Sequence, residues 1–119
     1  MMPLAPQQII KEYAEYAEIQ GQCTLDGDYK QGNKMVKKLN AFFKEFQKDS
    51  ELAKTVLQEL LNSDCFQARS VAATDCLRLN LFQEKALSVL KEASKRKDIL
   101  GFGPEMALKI WKEKGKLDP

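Results

Sequence analysis

Asp64, Arg69 and Asp75 come closest to chemistry in this chain: a carboxylate that could serve as an acid beside a guanidinium that could stabilise developing charge. Their spacing argues for a structural role. A helix over 65–79 places Arg69 between Ala73 and Cys76, where its guanidinium is partly buried and needs a partner, because an isolated buried charge is costly. Asp64 is the expected partner, the pair joining adjacent turns of structure. Asp75 falls near Val71 and Ala68 and is expected to be paired or at a rim.

Other charged groups fail as sites. Glu12, Glu15 and Glu18 step by three around a helix, and no Asp or His completes a metal shell. Gly101-Phe102-Gly103-Pro104 could open a phosphate loop at a helix start, yet it lacks the GKS or GKT that grips a nucleotide. No histidine is present, so triads, Cys-His dyads and His-ligated metals are excluded within this subunit. Cys23, Cys65 and Cys76 form no C-x-x-C pair and read as reduced thiols. No metal or cofactor is expected.

The elements that hold these residues are helical, since apolar side chains recur at three and four rather than two. Helix 1 is expected over about 6–20, with Ile9, Tyr13 and Tyr16 on one edge and Gly21 closing it. Thr24, Asp26 or Asp28 caps a second helix running to about Lys48. On that helix Met35, Val36, Leu39, Phe42, Phe43 and Phe46 share one arc. Lys30, Lys34, Lys37, Lys44 and Lys48 gather opposite. Ser50 caps helix 3, about 51–62. Helix 4 follows at about 65–79 with apolar residues on two sides, as if sandwiched, and helix 5 at about 82–97. Helix 6 has Pro104 in its first turn, a buried side of Met106, Ala107, Ile110 and Trp111, and Gly115 as its stop. Tyr29 and Trp111 are expected in the core.

Helices 3 and 4 are followed by helices 5 and 6 in the same outer and inner order, Val71-Ala72 being answered by Met106-Ala107, so the chain reads as a degenerate repeat. Asp64, Arg69, Ala72, Ala73 and Leu77 resemble the HEAT repeat, with an Asp in the turn, an Arg on the inner helix and small residues beside it. The LDGDYKQGNK, VAATDCL and MALKIW segments, in this order, are similar to a small bacterial family of HEAT/Armadillo-like single domains of unknown function. That resemblance implies a fold and no activity. The expected fold is therefore an all-α, HEAT/Armadillo-like α-α superhelix of about six helices in one domain over 1–119. Its parts are an N-terminal pair over 1–48, a HEAT-like repeat over 50–79 and a degenerate capping repeat over 82–115.

The 119 residues, 44% hydrophobic and 30% charged, suit one globular domain, and no apolar run reaches the roughly 20 residues of a membrane span. The N-terminal MMPLAPQQII lacks the form of a secretory leader, so the cytoplasm is expected. Net charge is +2, but it is banded: −4 over residues 1–29, +5 over 30–48, −2 over 49–83 and +3 over 84–119.

Gln67, Ser70, Thr74 and Arg78 form the polar face of helix 4. In a HEAT-like solenoid the inner helices line the concave surface, so these four are the candidate contact residues. The lysine stripe of helix 2 is a second candidate, fitted to solvent or an acidic protein. It lacks the interleaved aromatics that nucleic acid would favour. The expected function is a non-enzymatic protein-binding or adaptor module, monomeric or homodimeric, and in its most specific form a bacterial immunity protein that occludes a toxin. The alternative is a nucleic-acid-binding or DNA-glycosylase-like helical protein with Asp64 or Asp75 as the acid.

Overall fold

The computed structural model describes residues 5–117. Residues 1–4, part of the stretch read for a leader, and residues 118–119 lie outside the described residues. Those described form six α-helices and one short 3-10 turn, with no strand among them. The radius of gyration is 13.4 Å, against about 13.5 Å for a compact chain of this length.

The first helix, α1, is Pro6–Asp26, longer than expected. Pro6 suits its start, where a missing N–H costs nothing. Gly21 does not end it. A Cβ there would lie 3.1 Å from Cγ of Gln67, so this glycine lets α1 approach α4 closely inside a continuous helix. The stop is Gly27, whose φ of 76° supplies the left-handed cap. Asp28 then caps α2, Tyr29–Lys48, by accepting from the Gln31 amide at 3.2 Å. Of the three candidate caps, Asp28 is the one used.

The third helix, α3, is Ser50–Leu60, and its cap is Asp49, not Ser50: the Asp49 carboxylate accepts from the Leu52 amide at 3.1 Å. After a turn through Asp64, α4 runs Phe66–Arg78, α5 runs Gln83–Ser94, and α6 runs Phe102–Lys114 to a left-handed Gly115. The 3-10 turn Ile99–Gly101 leads into α6, capped by Asp98. Between α4 and α5 the chain bends through Asn80 and Phe82, both at positive φ. Asn80 tolerates that region well; Phe82 does so with its ring packed against the core.

Two helices organise the rest. α1 packs on α2, α3 and α4 and also touches the 3-10 turn, while α4 packs on α1, α3, α5 and α6. The sandwiching expected of α4 is thus seen, and Ala68, Ala72, Ala73, Cys76 and Leu77 are fully buried along it. Small residues let four neighbours crowd one helix. Met35, Leu39, Phe43 and Phe46 of α2 are buried as expected.

Three apolar expectations are corrected. Tyr29 is 71% exposed, being the first residue of α2 directly after the turn at Gly27 and Asp28. Val36 is 38% exposed at the edge of the α2 arc, and Met106 stands at the surface of α6 while Ala107 takes the inward position. Trp111 is half-buried and packs against the core.

Gly21→Val, placing a branched side chain where Gln67 already sits, is expected to lower stability by about 1–3 kcal/mol through overpacking, read from the urea midpoint at unchanged slope.

Candidate functional site

The geometry of the site begins with a buried polar contact between α1 and α4. The Tyr13 hydroxyl donates to Oδ2 of Asp75 at 2.8 Å, and Nη1 of Arg78 donates to Oδ1 of the same carboxylate at 3.2 Å. Asp75 is 4% exposed and Tyr13 is fully buried. The Arg78 guanidinium also lies over the Phe43 ring of α2, 3.8 Å from its centroid. Tyr13 packs in turn beside Phe42 and Phe46, both at 6.3 Å between centroids. One carboxylate thereby ties three helices together. Asp75 is paired, one of the two placements expected of it, the other being a rim.

Burial pushes the Asp75 carboxyl up to about 6 from 3.8, outweighing the opposing pull of the Tyr13 hydrogen bond and the Arg78 charge. The Tyr13 hydroxyl is raised well above its ordinary value, first by burial and then by Asp75, so it stays a donor. Burial, and then Asp75, drives the neighbouring Cys76 thiol up to about 12, which leaves it inert as a nucleophile near neutral pH. All three cysteines are free thiols.

Above this network the polar face of α4 borders three adjoining hollows. One of about 560 Å³ is lined by Lys37, Asn40, Phe43, Lys44 and Arg78, among others. A second, about 230 Å³, shares Asn40 and Arg78 with it and adds Gln20, Val36, Val71 and Thr74. The third, about 430 Å³, shares Gln20, Val71 and Thr74 and continues to Ile99, Phe102 and Pro104. Through these shared residues they adjoin as one groove along α4, walled by α2 at one end, by Gln20 of α1 in the middle, and by α1, the 3-10 turn and α6 at the other end.

All four candidates from α4 border this groove, but not equally. Gln67 and Thr74 are half-buried; Gln67 donates to the Gln20 side chain at 2.8 Å, and the Thr74 hydroxyl to the Ser70 carbonyl at 3.1 Å. Arg78 is held by Asp75 and Phe43. Ser70 was expected at the surface and is instead 5% exposed, its hydroxyl buried without a hydrogen-bond partner among the described residues. The crowding of α4 by its neighbours covers it.

The five lysines of the α2 stripe are all exposed. Lys37 and Lys44 line the groove beside Arg78; Lys30, Lys34 and Lys48 do not. Lys48 lies 3.9 Å from Glu45 in an exposed pair of little energetic weight. Two candidate surfaces that are far apart in sequence therefore meet at Arg78.

The pairing of Arg69 with Asp64 is corrected. Arg69 is half-buried, but its Nη1 donates to the Ser63 carbonyl at 2.7 Å, and no ion pair joins it to Asp64 among the described residues. The turn after α3 presents backbone carbonyls left over from the helix end, and a guanidinium on the first turns of α4 reaches them without crossing to an exposed carboxylate. Asp64 stays exposed before the helix start.

Glu12 accepts from Gln8 at 2.6 Å and from the Tyr16 hydroxyl at 3.1 Å. Among the described residues no group of three or more His, Cys, Asp or Glu side chains could hold a metal, and no helix is long and apolar enough to cross a membrane. Comparison of the chain with protein-family models, curated proteins and solved structures finds no match.

Sequence reasoning missed Gln20, Asn40, Ile99 and Phe102 as groove residues. Each belongs to a separate element, and nothing local in the chain marks them as neighbours of α4.

Because the folded value for Asp75 lies above the unfolded one, the folded chain binds that proton more tightly between the two values. Stability from this group is full below the unfolded value and is lost as pH rises through about 6. From about pH 4 to about pH 7 the wild type is expected to lose about 2 kcal/mol relative to Asp75→Asn, measured by urea unfolding at each pH. Tyr13→Phe should cost about 1–3 kcal/mol, more at pH 7 than at pH 5, since the ionised carboxylate then lacks its buried donor.

Proposed function

We propose that this protein is a non-enzymatic binding module that receives a protein partner along the polar face of α4. The groove carries this reading. Three adjoining hollows run beside one helix, bordered by residues of α1, α2, α4 and α6 that hold no assembled nucleophile, base and orienting group. Of the strongly shifted groups, Tyr13 and Cys76 do not line the groove, and Asp75 reaches it already bonded to Tyr13 and Arg78.

The HEAT/Armadillo-like superhelix belongs to the same proposal. The packing of α3, α5 and α6 against α4 supports reading α4 as the inner helix of a stack whose inner helices line a concave binding face. Adaptor or immunity roles need only complementarity at such a face. In the narrower version, where the partner is a bacterial toxin, the protein rescues growth when co-expressed with the toxin encoded beside it.

The test is site-specific photocrosslinking in native cells, with a benzophenone side chain at Thr74 in the groove or at Glu84 on the exposed face of α5. A discrete protein adduct from position 74, absent from position 84, is expected. Equal adducts from both positions, or adducts to nucleic acid alone, would sink the reading.

A further inference from the structure

Resting on that reading, we infer that the groove takes an acidic, amphipathic segment of its partner, with the acidic residues at the α2 end and apolar side chains at the α6 end. The two ends of the groove differ in chemistry. At the first, Lys37 and Lys44 stand beside Arg78 with no carboxylate among the lining residues. Asp75 enters only at the middle, buried and engaged by Tyr13 and Arg78. The far hollow has no charged lining residue at all.

Large apolar side chains are left exposed where that uncharged stretch lies. Ile99 is 55% exposed and Phe102 61%, both lining the far hollow, and Val36 is exposed at the middle one. Solvent-facing apolar groups gathered in a concavity mark a surface that gains by being covered. Between the two ends the middle hollow mixes apolar Val36, Leu39 and Val71 with polar Gln20, Asn40 and Thr74 beside the Asp75–Arg78 pair. Gln20 and Thr74 are already bonded to Gln67, Thr24 and Ser70, which leaves the Asn40 amide to meet a peptide backbone.

The arrangement fixes the class of occupant. A nucleic-acid backbone carries charge at every step and calls for cations along its whole track, whereas here the cations occupy one end. A segment with charge at one end and apolar bulk at the other matches both halves. From Gln67 to Arg78 the face of α4 spans about 17 Å at the helical rise, which five or six extended residues cover. Arg78 is held from two sides, by Asp75 and by the Phe43 ring, so this cation meets an arriving carboxylate already in position.

Panning a display library of random dodecapeptides against the full chain tests this, followed by titration of the enriched peptides as fluorescein conjugates. Enriched sequences should carry two or more Asp or Glu residues adjoining a bulky apolar residue. Their affinity should fall at least tenfold with Lys37→Glu/Lys44→Glu and with Ile99→Ser/Phe102→Ser. It should weaken with added salt only for the charged end, and remain unchanged with Lys30→Glu/Lys34→Glu, on the same helix but outside the groove. These positions are all exposed, and circular dichroism confirms that each variant is folded.

Basic or purely apolar peptides that still lose affinity with the groove substitutions would overturn the acidic partner while leaving protein binding in place. Absence of enrichment, together with photocrosslinks away from Thr74, would overturn both. Duplex DNA bound more tightly than any peptide would overturn the inference, as would a concentration-dependent dimer, seen by light scattering, that Ile99→Ser/Phe102→Ser abolishes.

Discussion

The contact between Tyr13 and Asp75 is the constraint on which the rest of the structure depends. A carboxylate placed on the most crowded helix of an all-helical chain is expensive unless its oxygens are bonded. Here a phenol from α1 takes one oxygen and a guanidinium from the next turn of α4 takes the other. Satisfying the carboxylate sets the register of α1 against α4. It also directs Arg78 outward over Phe43, which sets α2 relative to both. Replacing such a network with apolar groups can be neutral for stability, but breaking one partner is not.

The groove follows from that arrangement. α1 approaches α4 closely at Gly21, where Gln20 and Gln67 bond across the junction, and α2 leans on Arg78 through Phe43. The 3-10 turn and α6 complete the wall from the other end of the chain. A fully apolar contact between α1 and α4 would leave Arg78 without its internal carboxylate. The buried pair therefore serves the surface above it as well as the core.

The helices were largely legible in the sequence because their determinants are local. Apolar periodicity, Asp28, Pro6, Gly115 and the alanine-rich α4 each act within a few residues of themselves. The errors have physical reasons as well. Gly21 resembles a helix stop because glycine ends helices by conformation, yet here it lies inside a helix where a Cβ would press on the Gln67 side chain, which only the neighbouring helix reveals. Opposite charge alone pairs Arg69 with Asp64, but the turn after α3 offers the Ser63 carbonyl, which the guanidinium takes. Ser70 shares the wheel position of surface residues and lies under neighbours that no wheel contains. Among the groove residues, the polar face of α4 and the lysines of α2 could each be found from the helical wheel. Their meeting at Arg78 could not.

Residue order alone specified which segments coil, which of their faces are apolar, that no histidine chemistry is present, and that positive charge is concentrated on α2. These properties depend on interactions spanning three or four residues. The tertiary structure alone decided that Tyr13 bonds to a carboxylate 62 residues away, that Lys37 and Lys44 share a cleft with Arg78, and that Ile99 and Phe102 border the same groove uncovered. Such contacts arise when separate helices each bury an apolar face against the others. The polar and charged residues beside those faces then meet wherever the packing carries them.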